Sequence, residues 1–226
     1  EKKHKFPVHY VGHPLLDAIA DRPLVNKEQF LKEHNLTDQP VIALLPGSRK
    51  QEITKMLSVM LAMVSHFPKY QFVIAGAPSQ NKSFYDPFLR NTKVGFVQNK
   101  TYDLLSLSYA ALVTSGTATL ETALFKIPEV VCYKTSSISY EIGKRLVKNI
   151  KYISLVNLIL DKPSVTELIQ DDFNVEQLKT ELSALLDQDR REKIFEDYYQ
   201  LEKILGGKGA SDKVARNIVE TIKPKG

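Results

Sequence analysis

The sequence predicts an α/β protein built on a Rossmann-like parallel sheet with helices on both faces. Three observations carry that prediction. From Val41 onward, short apolar runs of strand length alternate with segments of helical spacing, the pattern of right-handed β–α–β crossovers. The runs are apolar throughout, as strands covered on both faces are. Two of the strand-to-helix junctions also place Gly beside Ser where a helix begins, in Leu44-Leu45-Pro46-Gly47-Ser48-Arg49 and in Val113-Thr114-Ser115-Gly116-Thr117.

The elements follow in order. Val8 to Gly12 reads as a strand ending in Gly with little before it beyond the charged stretch Glu1 to Lys5, so residues 1–20 are expected to connect from a separate N-terminal domain and residues 21–226 to form the binding domain. Residues 41–45 are a buried strand. Ser48 to Gln51 has the form of an N-cap and capping box, and Ile53, Met56, Leu57, Met60, Leu61 and Val64 keep helical spacing until Pro68. Residues 70–76 are the next strand, 82–90 a helix despite Pro87, 94–97 a short strand, and 101–108 a helix capped by Thr101. Strand, helix and strand return at 110–114, 117–125 and 129–133. Helical spacing marks 139–147, an extended piece 153–155, and a short helix 165–170. Three closing helices cover 174–186, 190–205 and 211–222, with Gly206-Gly207-Lys208-Gly209 joining the last two.

Composition narrows the function classes. The chain of 226 residues is 43% hydrophobic and 25% charged, ordinary values for a globular core. No run approaches the ~20 apolar residues that span a bilayer. Cys132, the only cysteine, lies in an apolar run and reads as a buried, reduced thiol, which fits a cytoplasmic protein. The net charge of +5 collects at the termini and in Lys144, Arg145, Lys148 and Lys151. No helix-turn-helix, zinc-finger or ribonucleoprotein pattern accompanies it, so no nucleic-acid partner is expected. Two readings of the charge stay open: lysines solvated for solubility, and a peripheral face for an anionic membrane.

The candidate site residues cluster at the two Gly–Ser turns. In parallel sheets, ligands bind beyond the carboxyl ends of strands, and a helix N-terminus offers unpaired N–H groups to an anion. Neither turn is a Walker A loop, and neither has the Gly-x-Gly-x-x-Gly spacing of dinucleotide enzymes. Gly47 allows close backbone approach, Ser48 would cap, and Arg49 sets a cation where the helix dipole disfavours one unless an anion is near. Ser115, Gly116 and Thr117 offer hydroxyls and N–H groups. Glu121, one turn further on, is either a carboxylate favoured by the dipole or an acceptor for the two hydroxyls of a ribose. A ligand with phosphate at one end and hydroxyls at the other fits both turns, and a nucleotide-sugar has that form.

Five motifs then occur in one order: Tyr10-Val11-Gly12-His13-Pro14-Leu15-Leu16-Asp17; Leu44 to Arg49 with Glu52; Ser115-Gly116-Thr117-Ala118-Thr119-Leu120-Glu121; Lys144-Arg145-Leu146-Val147-Lys148; and Ser154-Leu155-Val156-Asn157-Leu158-Ile159. Together they resemble the C-terminal half of the lipid-A-disaccharide synthase family, over essentially the whole chain. The resemblance implies one half of a GT-B fold, two Rossmann-like domains facing a cleft, with this half binding the UDP-sugar donor. It implies that Ser48 and Arg49 serve the diphosphate, that Gly47, Ser115, Gly116 and Thr117 line the same pocket, and that Glu121 holds the ribose. Asn157 and Gln170 would be further donor contacts, and His13 would face the interdomain cleft. The implied partners are UDP-2,3-diacylglucosamine as donor, lipid X (2,3-diacylglucosamine 1-phosphate) as acceptor in the whole enzyme, and an anionic membrane surface, at the cytoplasmic face of the inner membrane. Neither cofactor nor metal is expected. The catalytic base would lie in the N-terminal half, so the chain alone is expected to be inactive. A homo-oligomer, another UDP-sugar GT-B enzyme (an N-acetylglucosaminyltransferase or a UDP-N-acetylglucosamine 2-epimerase) and a non-catalytic nucleotide-sugar binding module remain open alternatives.

Overall fold

Five-residue apolar runs such as Val41–Leu45 have no polar side to show to water, so each must become an interior strand. The computed structural model, which describes residues 8–135 and 151–222, places them in one six-stranded parallel sheet. The strands are β1 (Val41–Leu45), β2 (Gln71–Gly76), β3 (Gly95–Gln98), β4 (Ser108–Thr114), β5 (Glu129–Tyr133) and β6 (Thr166–Ile169), in the order β3-β2-β1-β4-β5-β6. The chain builds outward from β1 through β2 to β3, returns to the other side of β1 as β4, and continues to β5 and β6. The reversal point therefore lies between β1 and β4, where Leu44 pairs with Leu112 and Leu45 with Val113.

Alternate residues of each strand feed two cores. Ile42, Leu44, Phe72, Ile74, Ala110 and Leu112 bury against Ile53, Met56, Leu57 and Met60 of α3 (Lys50–Met60). Burying each of those α3 side chains is worth about 1.5–3 kcal/mol. On the opposite face, Val41, Ala43, Leu45, Val73, Ala111 and Val113 meet Phe30 of α2 (Lys27–Glu33) and Leu104 and Leu105 of α6 (Thr101–Leu107).

The remaining helices are α1 (Pro14–Ala20), α4 (Met63–His66), α5 (Lys82–Leu89), α7 (Thr117–Leu124), α8 (Leu155–Leu160), α9 (Val175–Leu185), α10 (Gln188–Ile204) and α11 (Ala210–Ile222). Several carry side-chain caps: Ser154 Oγ accepts from Asn157 N, Asn174 from Gln177 N, and Asp187 from Asp189 N and Arg190 N. Buried Arg191 on α10 donates to the Tyr109 carbonyl at 2.9 Å, with its guanidinium 3.7 Å from the Tyr109 ring centroid. Lys126 donates to Tyr198 O and pairs with Glu202 at 2.6 Å, fastening the loop after α7 to the same helix. The Asp17 carboxylate accepts from Gly209 N and Ser211 N, so α1 caps α11 from a distance. Those two N–H bonds hold the Asp17 pKa below its usual value. Among the described residues no helix is long and apolar enough to cross a membrane.

The structure corrects several elements. Residues 165–170 contain a strand, not a helix: Thr166–Ile169 pairs with β5 from Val130↔Thr166 to Tyr133↔Ile169. A four-residue segment carries little periodicity, and its β-branched Thr166 and Ile169 fit a sheet edge. Residues 8–12 join no strand, and residues 153–155 lead into α8 rather than forming an extended element. Arg49, not Ser48, is the N-cap of α3, and Lys100, not Thr101, that of α6; neither makes a side-chain capping bond. Helices α1 and α2 occupy a stretch in which the sequence offered no assignment. The helix expected over 139–147, with Lys144, Arg145 and Lys148, lies outside the described residues.

Glu129, at the start of β5, is fully buried, and neither carboxyl oxygen has a hydrogen-bond partner among the described residues. Burial, and then the nearby Glu167 charge, push its pKa well above the ordinary value. Both folded and unfolded chains keep this proton below the ordinary carboxyl range. Above it the unfolded chain releases the proton while the folded chain retains it, so this residue's contribution to stability falls as pH rises. Thermal unfolding of Glu129→Gln between pH 4 and pH 8 should therefore show a stability advantage over wild type that widens with pH, starting above about 4.5.

Candidate functional site

The pairing of Leu45 with Val113 sets the two Gly–Ser turns side by side at the carboxyl edge of the sheet. A Cβ placed on Gly47 would stand 3.5 Å from Thr114 Cγ2, which shows how closely the first turn crosses the end of β4. This is the reversal point of the sheet, where doubly wound folds open a crevice.

In the first turn, Gly47 has φ +99°, a conformation that L side chains rarely adopt. The same imagined Cβ would approach Glu52 Oε2 to 3.1 Å. Glu52 Oε1 pairs with Arg49 Nη1 at 2.8 Å across the opening turn of α3. The Arg49 side chain is 82% exposed, so the pair adds little stability, and its remaining N–H groups face solvent. The Ser48 carbonyl accepts from Ser79 Oγ at 2.9 Å and Gln80 Nε2 at 3.2 Å, and the Gln80 carbonyl accepts from Gln98 Nε2 at 2.9 Å. The segments beyond β1, β2 and β3 are thereby stitched into one rim. The Ser48 hydroxyl makes no cap, and the first N–H groups of α3 keep their outward direction.

In the second turn, Ser115 N donates to Cys132 O at 3.1 Å and Ser115 Oγ to Ile153 O at 2.9 Å. Gly116 and Thr117 are exposed, and a Cβ on Gly116 would meet nothing nearer than 4.0 Å. Thr119 returns both its N–H and its hydroxyl to the Gly116 carbonyl, closing the first turn of α7. Glu121 Oε1 accepts from Tyr102 Oη at 2.9 Å. Burial first, and then that bond, push the Tyr102 phenol up to about 12.

The other candidates stand apart from this crevice to different degrees. Asn157 is buried, and its amide is committed inward: Nδ2 donates to Val165 O and Glu167 Oε1, and Oδ1 accepts from Val165 N. Gln170 follows β6 with φ +54°; its Oε1 accepts from Thr135 N and its N–H bonds Tyr133 O, tying off the ends of β5 and β6. It lies two strands from β4, roughly 10 Å at ordinary strand spacing. His13 caps α1, with Nδ1 accepting from Leu15 N at 3.2 Å, while its own N–H bonds Leu205 O.

Four contributors had no clear signal in the sequence. Thr114 Oγ1 is buried at the junction of the turns with no hydrogen-bond partner among the described residues. Glu167 accepts from Ile153 N, Ser154 N, Ser154 Oγ and Asn157 Nδ2, and so holds the Ile153 carbonyl that Ser115 uses. Tyr102 bonds Glu121, and Arg22 stands over the Tyr102 ring. A cavity of about 770 Å³ lies elsewhere, at the outer β2–β3 side, lined by His34, Thr37, Tyr70, Gln71, Lys93 and Gly95. Gln71 and Gly95 are the first residues of their strands, so this cavity opens at the amino edge and not at the crevice.

The family model described as lipid-A-disaccharide synthetase matches residues 2–220. This chain belongs to that family. Lipid-A-disaccharide synthases are 37% identical in Syntrophus aciditrophicus and 33% in Geobacter sulfurreducens, each aligned over 96% of this chain and 58% of the relative. One from Coxiella burnetii is 34% identical over 98% of the chain and 59% of the relative. The chain thus spans somewhat over half the length of the relatives it matches. Solved structures share the fold at low identity. The S. aureus MnaA–UDP complex superposes with a TM-score of 0.56 at 15% identity, over 92% of this chain and 53% of that one. The calicheamicin glycosyltransferase CalG4 gives 0.51 at 16%, over 83% and 44%. Both matches show the Rossmann-like half expected of a GT-B protein.

Gly47→Ala tests the first turn. A methyl at φ +99°, pressed against Glu52, should cost about 1–3 kcal/mol in chemical denaturation, whereas Gly116→Ala, in open space, should leave stability within about 0.5 kcal/mol.

Proposed function

We propose that this chain is the donor-binding half of a lipid-A-disaccharide synthase, and that the crevice at the β1–β4 reversal takes the UDP portion of UDP-2,3-diacylglucosamine. One observation carries the reading: in a chain whose family match runs from 2 to 220, two uncapped helix N-termini, those of α3 and α7, open side by side where the sheet order reverses. Each directs free N–H groups outward, and Arg49 adds a permanent cation at the first. A diphosphate there would be held by α3, α7 and Arg49, with Thr117 and the Thr114 hydroxyl as neutral donors. Glu121 would take ribose hydroxyls. Gln170 would act from the β6 end, while Asn157 would act by holding Glu167 and His13 by fixing the start of α1.

In the whole enzyme the acceptor is lipid X, and the diacylglucosamine passes to its 6-hydroxyl with inversion and release of UDP. The residues kept here would stabilise the negative charge that develops on the departing UDP, since fixed N–H groups and a cation placed where charge appears need no reorganisation. The base that activates the acceptor hydroxyl belongs to the part of the relatives that this chain does not span. Residues 1–20 would connect to that part. Because both substrates carry acyl chains, the enzyme would work at the anionic inner-membrane surface, peripheral on the cytoplasmic side, with its excess lysines toward the lipid. Neither cofactor nor metal is invoked.

Calorimetric titration tests the reading. The chain should bind UDP more tightly than UMP or ADP and should not turn over the sugar donor by itself. Arg49→Ala should weaken UDP binding roughly 10- to 150-fold, the effect of a hydrogen bond to a charged group, while leaving uridine binding nearly unchanged. Equal losses for UDP and uridine would assign Arg49 to folding of the turn.

A further inference from the structure

Glu121 does not stand alone in its part of the crevice. Tyr102 Oη donates to Glu121 Oε1 at 2.9 Å from the opening turn of α6. The Tyr102 ring is itself fixed, with the Arg22 guanidinium 5.3 Å from its centroid and the Phe125 ring 5.3 Å away at 54°. Arg22 is anchored in turn by an ion pair to Asp103, which also receives Lys100 at 3.1 Å. Arg22 and Asp103 are 17% and 22% exposed, so this pair is much better shielded than the Arg49–Glu52 pair.

We infer that Tyr102 is a positioning residue for sugar recognition: its hydroxyl fixes the rotamer of Glu121, so that Oε2 and the open lone pair of Oε1 meet the ribose 2′- and 3′-hydroxyls at a set angle. This rests on the reading of Glu121 as the ribose acceptor given above. The chemistry follows from the acceptor inventory. A carboxylate has about four lone-pair sites, and Tyr102 uses one of them. A Glu side chain on the second turn of a helix otherwise samples several χ combinations, and immobilising such a side chain on binding costs free energy that a pre-formed hydrogen bond has already supplied. The Arg22–Asp103 pair matters for the same reason, because it prevents the Tyr102 ring from swinging off Glu121. The expected signature is therefore loss of discrimination between sugars, not uniform loss of affinity. A residue with a merely structural role would weaken all ligands alike.

The test is calorimetric titration of UDP and 2′-deoxy-UDP into the full 226-residue chain as wild type, Glu121→Gln, Tyr102→Phe and Arg22→Lys. Wild type should prefer UDP by roughly tenfold or more, the effect of one hydrogen bond to a charged acceptor, and Glu121→Gln should abolish most of that preference. Tyr102→Phe keeps the ring and removes only the hydroxyl, and it should cut the preference by about fivefold while melting near wild type. Arg22→Lys keeps the charge on Asp103 but loses the planar guanidinium that faces Tyr102, and should reduce the preference in the same direction. A wild type that prefers UDP beside a Tyr102→Phe variant with the same preference would overturn the positioning role and leave Glu121 as the ribose acceptor. A wild type that binds the two nucleotides equally would overturn the ribose reading and the positioning role with it.

Discussion

The pairing of β1 with β4 is the constraint on which the site depends. Both strands are apolar on both faces, so each needs neighbours on its two edges and helices above and below. β1 is flanked by β2 and β4, the only arrangement in the sheet that brings the Pro46–Arg49 turn beside the Ser115–Thr117 turn. The register is not uniform: Val41 faces Ser108, while Ile42 faces Ala110, which leaves Tyr109 as an extra residue on β4. That bulge sends the Tyr109 ring and carbonyl to Arg191 of α10 and restores the alternation that buries Ala110 and Leu112 on one face and Ala111 and Val113 on the other. A helix far along the chain therefore helps to fix where the second turn emerges.

Above the sheet, hydrogen bonds between loops turn two separate turns into one rigid rim. Ser79, Gln80 and Gln98 bind the first turn to the ends of β2 and β3. Ser115, Ile153, Glu167 and Asn157 bind the second to β6 and α8. On the second side, where Ser154 and Asn157 are buried, polar groups that satisfy one another hold a single arrangement, because losing one partner leaves another unpaired in a low-dielectric interior. Arg49, Gly116 and Thr117 are exposed, and the bonds between the loops do not use them. Supporting residues have spent their hydrogen bonds on the frame; residues at the opening have kept theirs.

The strands around the reversal point were legible in the sequence because their apolar runs are local signals, and β1, β4 and β5 lie within two residues of the runs read as strands. The turns were legible for the same reason, with Gly47 and Gly116 set between an apolar run and a helix. What the sequence could not show was non-local. Ser48 looks like a cap until its carbonyl is seen to hold Ser79 and Gln80, and residues 166–169 look helical until β5 supplies their partner. Asn157 has the look of a contact residue in its motif, yet its amide is fully engaged with Val165 and Glu167. Tyr102 and Arg22 carry no motif at all, and only the fold brings Tyr102 to Glu121 and Arg22 over the Tyr102 ring.

Mapping of backbone amide signals by NMR during titration with UDP tests the central claim most directly. If the crevice at the β1–β4 reversal is the nucleotide site, the largest and earliest shifts should fall on Gly47, Ser48 and Arg49 together with Ser115, Gly116 and Thr117, with Glu121 and Tyr102 following at the same ligand concentration. Shifts centred instead on Gln71, Lys93 and Gly95, around the cavity at the amino edge of the sheet, with the two turns unmoved, would contradict it.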